Sequence, residues 1–145
     1  MIYANPDVKT IELTFDGYML DEDRDGIDKY AGIYCVYRCT YNINTDKVSL
    51  NKLLYIGEAD DICGRLSNHE RLNDWKKHLR KGEKLCYSYA KIENERLRKQ
   101  AEAALIYCYK PCENTQHIDS FGYPETKIET FGKRGLLDSE LTVKD

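Results

Sequence analysis

Between Gln100 and Tyr109 the chain reads Gln-Ala-Glu-Ala-Ala-Leu-Ile-Tyr-Cys-Tyr, and Glu102 is its only charge. A helix apolar almost all round is buried, and a buried carboxylate must be paired or bind a metal. The alternative partner is Arg98, four residues earlier, in an exposed pair worth about 0.3–0.5 kcal/mol. Tyr34 and Tyr55 each stand beside a glycine, in Gly32-Ile33-Tyr34 and Tyr55-Ile56-Gly57. A strand tyrosine is ordinarily packing, but an adjacent glycine lets a backbone or ligand approach closely. Arg65 and His69 are four apart and so share one helix face. Ile62 and Leu66 flank that side, and cations at a core boundary suit a phosphate cleft; the alternative is a solvated basic face. Asn114 follows Pro111 and reads as a turn residue or as part of the same site.

The elements that must position these groups follow from periodicity. Residues 8–15 alternate, with Ile11, Leu13 and Phe15 on one face, and predict a strand. Residues 32–39 and 53–57 predict two more, joined by a polar, turn-rich stretch at 42–51. Asp60 or Asp61 can cap a short helix running to about Glu70. A second helix is expected from about Asn73 to Lys81, with Leu72, Trp75 and Leu79 on one side and Gly82 as its stop. Residues 85–92 alternate aromatic and β-branched side chains as a further strand. Asn94 can cap a long helix that ends before Pro111, and 126–131 can form a last strand. The expected fold is α/β (α+β), a small, mainly antiparallel three-stranded central sheet (32–39, 53–57, 85–92) flanked by helices, with added N- and C-terminal segments.

The chain has 145 residues, with 41% hydrophobic and 32% charged residues, which reads as one soluble globular domain. No run of apolar residues is long enough for a membrane span and no secretory leader is apparent, so a cytoplasmic location and no membrane partner are expected. Six cysteines raise the question of zinc, because Cys35/Cys39 and Cys108/Cys112 are C-x₃-C pairs. Four strand residues span about 13 Å, too far to share a metal, so buried free thiols are expected. Asp21-Glu22-Asp23-Arg24-Asp25-Gly26 resembles the start of a calcium loop, but Gly32 stands where the bidentate glutamate belongs; a solvated acidic loop is expected. The net charge of −3 divides unevenly: residues 1–30 carry 3 basic and 8 acidic groups, 31–118 carry 15 and 11, and 119–145 carry 4 and 6. The centre is mildly basic between acidic ends, and the local field matters more to a phosphate than the total. Lys76, Lys77, Arg80, Lys81 and Lys84 form a separate basic cluster that reads equally as a solvated surface or a nucleic-acid backbone contact.

The order Gly32-Ile33-Tyr34, Tyr55-Ile56-Gly57, Arg65, His69, Glu102, Pro111-x-x-Asn114 resembles the GIY-YIG nuclease superfamily over about residues 31–116. The long Tyr34-to-Tyr55 spacing and the Arg65-x₃-His69 pair resemble its restriction-enzyme branch. The resemblance implies a single domain (1–145) with a catalytic core at 31–116, an acidic N-terminal extension (1–30) and a C-terminal extension (117–145). It implies a metal-dependent endonuclease that hydrolyses nucleic-acid phosphodiesters, DNA being the expected substrate. The alternative is a non-catalytic nucleic-acid- or protein-binding module of the same fold. The implied roles are Tyr34 as general base, Tyr55 and His69 as its hydrogen-bonding partners, Glu102 as ligand of Mg²⁺ or Mn²⁺, Arg65 as phosphate brace and Asn114 as a support of the cleft. A double-strand break would need a homodimer, two successive visits or a partner protein, and any sequence preference is expected from loops such as 42–51 or from a partner.

Overall fold

The computed structural model describes residues 8–145. The elements run β1 (Lys9–Leu20), a 3₁₀ turn (Asp21–Gly26), β2 (Gly32–Asn42), β3 (Lys47–Ala59), α1 (Ile62–Ser67), α2 (Leu72–Lys76), β4 (Glu83–Lys91), α3 (Glu95–Tyr109), β5 (Thr126–Gly132) and β6 (Glu140–Val143). The mixed α+β class is as expected, but the central sheet has six strands rather than three, in the order β3-β2-β4-β1-β5-β6. The expected strands are its β3-β2-β4 part, antiparallel throughout. The difference lies at the termini. Ile11, Leu13 and Phe15 bury into the core, which places β1 antiparallel to β4 and parallel to β5. The terminal segments therefore complete the sheet instead of flanking it.

Two other boundaries move. The stretch at 42–51 is not a long loop, because β2 and β3 stay paired out to Asn42 and Lys47. Asn42 closes the hairpin by accepting the Asn44 backbone N–H through its side chain, a local bond typical of asparagine in turns. The second helix is a single turn, Leu72–Lys76, that buries only Trp75. Both helix starts are capped as the sequence predicts: Asp61 accepts from Gly64 N and Asn94 from Leu97 N. All six cysteines are free; Cys35, Cys39, Cys63 and Cys86 are buried, whereas Cys108 and Cys112 are exposed. Asp21 of the acidic turn is engaged by Arg24 and by the Tyr87 hydroxyl. No helix among the described residues is long and apolar enough to cross a membrane.

Strand alternation divides the core into two layers. Ile33, Cys35, Tyr37 and Cys39 of β2 pack with Ala101, Ala104 and Leu105 of α3. Tyr34 and Val36 face the other way, onto Ile62, Leu66 and Trp75. Only around an edge of the sheet can side chains from both layers meet. The edge strand β3 carries Tyr55 and provides that meeting place.

Candidate active site

The two glycine–tyrosine motifs interlock across β2 and β3, where Tyr34 is the register partner of Gly57. The Tyr34 ring lies over Gly57 so closely that a Cβ there would overlap its Cζ and hydroxyl. Gly32 serves a different contact: a Cβ on it would overlap the Ala90 carbonyl and come within 2.8 Å of Ile62 Cδ1. One glycine thus lets β2 approach β4 and the start of α1, while the other makes room for a phenol. The Tyr34 and Tyr55 rings stack at 6.1 Å between centroids.

His69 completes this group. The Tyr34 hydroxyl lies 3.0 Å from His69 Nε2, and His69 Nδ1 accepts the Arg71 backbone N–H at 3.0 Å. Burial first, then the Arg65 charge, push the His69 pKa down to about 4, so the ring is neutral at pH 7. A neutral ring whose Nδ1 accepts must carry its proton on Nε2. His69 therefore donates to the Tyr34 oxygen and leaves the phenol proton free for another acceptor. Trp75 packs against the imidazole at 4.3 Å between centroids and contributes to its burial. Burial, then the neighbouring Tyr55, raise the Tyr34 pKa well above the usual tyrosine value, and the Arg65 charge works against them. Burial and then Glu102 raise that of Tyr55.

Glu102 projects from α3 into the same space. A cleft of about 300 Å³ is lined by Tyr55, Arg65, Glu70, Arg71, Glu102 and Asn114, together with Ile106, Thr115 and Gln116. The pairing of Glu102 with Arg98 does not form. Arg98 is buried and gives Nε to Glu58 at 2.6 Å and a terminal nitrogen to Asp60 at 2.5 Å. It also donates to the Ile92 and Glu93 carbonyls. Glu102 has no ion pair among the described residues. Burial, then the Glu58 charge, raise its pKa to about 7. No group of three or more His, Cys, Asp or Glu side chains among the described residues forms a metal cage. A six-coordinate hard cation needs only one or two carboxylates, since it keeps several of its waters. A half-buried, unpaired carboxylate at a cleft wall fits that requirement.

Asn114 is buried, with both ends of its amide on one residue of β3: Nδ2 donates to Ile56 O at 2.8 Å and Oδ1 accepts from Ile56 N at 3.0 Å. Glu113 N donates to Leu54 O beside it. The segment after α3 thus pairs with the edge strand and fixes Tyr55 and Gly57 on either side of Ile56. Asn114→Ala would leave two buried backbone groups unpaired, at roughly 1–3 kcal/mol each. Denaturant unfolding is expected to reveal a loss of about 2–4 kcal/mol, and a loss below about 1 kcal/mol would mean the pairing carries little.

Arg71, Glu70 and Glu113 also stand at this site, although nothing in the sequence marks them for it. Arg71 stands 5.8 Å over the Tyr55 ring and pairs with Asp74 and Glu113. Glu113 also takes His78 Nε2 at 2.5 Å. In sequence, Glu70-Arg71 and Asp74 read as a solvated mixed-charge turn, and Glu113 is too distant to suggest a partner. The basic cluster is placed elsewhere. Lys76, Lys77, Arg80, Lys81 and Lys84 are all exposed, none lines the cleft, and Lys84 and Lys77 are paired with Glu22 and Asp74.

The sequence pattern of the GIY-YIG catalytic domain matches residues 32–116, the segment from Gly32 at the start of β2 to just past Asn114. Comparison with curated proteins and with solved structures gives no significant match.

Proposed function

The chain belongs to the GIY-YIG family, whose domain points to nuclease-type function, and from that premise we propose that it is a metal-dependent endonuclease acting on nucleic-acid phosphodiesters, DNA first. The observation that carries this reading is the convergence of Tyr55, Arg65, Glu102 and Asn114 on one cleft, with Tyr34 stacked on Tyr55.

In this reading Tyr34 is the general base. Its oxygen takes the proton of the attacking water, and the phenolate that precedes this step is held by the His69 Nε2–H. Burial opposes ionisation of the phenol, so the base becomes competent only when positive charge is added nearby. Arg65 braces the phosphate through its planar fork. Tyr55 orients the water against the phosphate. Asn114 acts on the backbone of β3 rather than on the substrate. Glu102 would hold Mg²⁺ or Mn²⁺, which when bound relieves charge on the phosphate and the leaving oxygen. The exposed basic cluster is a candidate backbone contact outside the cleft.

One cleft cuts one strand at a time. Duplex cleavage would take two successive binding events, a second copy of the chain or a partner.

A net charge of −3 favours the second reading, a non-catalytic nucleic-acid- or protein-binding module in a larger complex. Purified protein incubated with single-stranded, duplex and branched DNA and RNA separates the two. Cleavage with Mg²⁺ or Mn²⁺ that stops on chelation is expected. Absence of cleavage on every substrate with either ion would put the binding module ahead.

A further inference from the structure

No arginine at the cleft carries a free guanidinium among the described residues. Arg65 gives one terminal nitrogen to each Glu70 carboxylate oxygen, at 2.5 and 2.8 Å. Arg71 is held by Asp74 and Glu113. The partners differ in how firmly they are fixed. Glu113 is also bonded to His78 and is largely buried. Glu70 sits in the turn between α1 and α2 with its side chain 65% exposed. His69 Nδ1, its other near neighbour at 3.9 Å, already accepts from Arg71 N and offers Glu70 no proton.

We propose that Glu70 is a displaceable phosphate mimic, an internal competitor that occupies the Arg65 fork until a substrate phosphate takes its place. The two-oxygen, two-nitrogen geometry is the one by which arginine receives a phosphate. Glu70 also lines the cleft, so its charge faces the incoming backbone. An exposed carboxylate–arginine pair contributes only about 0–1 kcal/mol. A nucleic-acid phosphate that is also engaged elsewhere in the cleft outcompetes it, whereas a loosely fitting anion does not. Glu70 thereby sets a threshold for productive binding and favours substrates that reach the rest of the site. The nucleic-acid part of the proposal rests on the nuclease reading; the competition itself requires only an anion.

The test uses the full chain in chelator, so that nothing is cut, and compares wild type, Glu70→Gln, Arg65→Ala and the double variant. A labelled DNA duplex is titrated by fluorescence anisotropy over a potassium chloride series. Glu70→Gln is expected to bind about three- to tenfold more tightly at low salt, one surface pair and one like charge having been removed. Its log K against log[salt] slope should stay close to that of wild type, because Arg65 neutralises the same phosphate in both once Glu70 has been displaced. In the Arg65→Ala background Glu70→Gln should keep only the smaller part of that gain, the part that comes from removing the like charge. In a second arm, inorganic phosphate is titrated while the Arg65 Nε–H resonance is followed in isotope-labelled protein, and Glu70→Gln should again bind more tightly than wild type. Equal or weaker binding by Glu70→Gln in both arms overturns the proposal, as does a gain that is undiminished without Arg65. If neither DNA nor phosphate binds any of the proteins, it is overturned as well. If phosphate binds Glu70→Gln more tightly and DNA binds none of the proteins, the competitor stands and duplex DNA is removed as the substrate of the nuclease reading. If DNA and phosphate each bind wild type and Glu70→Gln alike, the nuclease reading survives and the competitor falls.

Discussion

Glu102→Gln is expected to cut at least about 10²-fold more slowly than wild type with Mg²⁺ or Mn²⁺ present, the order that follows from losing several kcal/mol of transition-state stabilisation. The amide nearly matches the carboxylate in shape, so packing around Ala101, Ala103 and Leu105 of α3 should survive. What disappears is the charge that holds a hard cation. Arg98 cannot replace it or restore the balance, because its guanidinium is already committed to Glu58 and Asp60. Equal cleavage rates for wild type and Glu102→Gln would remove Glu102 from the metal role.

The same substitution has a readout independent of cleavage. A glutamate ordinarily titrates near 4.5, and burial beside Glu58 raises Glu102 to about 7 in the folded chain. A raised acid binds its proton more tightly folded than unfolded. Its contribution to stability is therefore fully present below pH 4.5 and lost as pH rises through 7. Metal-free wild type should lose about 1–3 kcal/mol across that window from this group, and Glu102→Gln should not. At pH 8 the variant is expected to unfold at higher denaturant than wild type. Adding Mg²⁺ or Mn²⁺ should stabilise wild type selectively and narrow the difference, since a ligand of the folded state adds stability by mass action. An equal shift in both proteins would place the cation elsewhere.

Glu102 was legible because it is the lone charge between Gln100 and Tyr109, and the nine uncharged residues of that stretch continue a helical pattern with its own cap and stop. The glycines beside Tyr34 and Tyr55 were legible as places of close approach. That Gly57 serves the Tyr34 ring and Gly32 the Ala90 carbonyl depends on strand register, which sequence pattern leaves open here. Cross-strand pairing also hid the extent of β2 and β3, whose outer halves are polar because they form an exposed hairpin. The parallel pairing of β1 with β5 joins residues more than a hundred positions apart, and no local signal announces it. Arg71 and Glu70 are hidden in the sequence for the opposite reason. Alternating charges in a short turn look solvated, and their position at the cleft follows from how α1, α2 and the segment after α3 converge on the edge of β3.

Gly57→Ala is expected to lower cleavage by about 10²-fold or more although it removes no functional group. Its Cβ would occupy the space of the Tyr34 Cζ and hydroxyl, and Tyr34 is buried between β3 and Trp75's cluster with little freedom to yield. The phenol must shift, and its bond to His69 Nε2 goes with it. A displacement of about 1 Å from the reactive geometry can cost about 10²-fold. Removing the base itself, as in Tyr34→Phe, should cost about 10²–10⁴-fold, the usual range for general acid–base catalysis. Overpacking should also lower the stability of Gly57→Ala by about 1–3 kcal/mol. Gly32→Ala differs in kind, because its clash is with a backbone carbonyl and no side-chain movement relieves it. A double-mutant cycle tests the steric account. In a Tyr34→Ala background the added methyl has room, so the stability cost of Gly57→Ala should largely vanish, giving a coupling of about 1–3 kcal/mol. An undiminished cost in that background would mean that Gly57 is required by the strand itself and not by the phenol it faces.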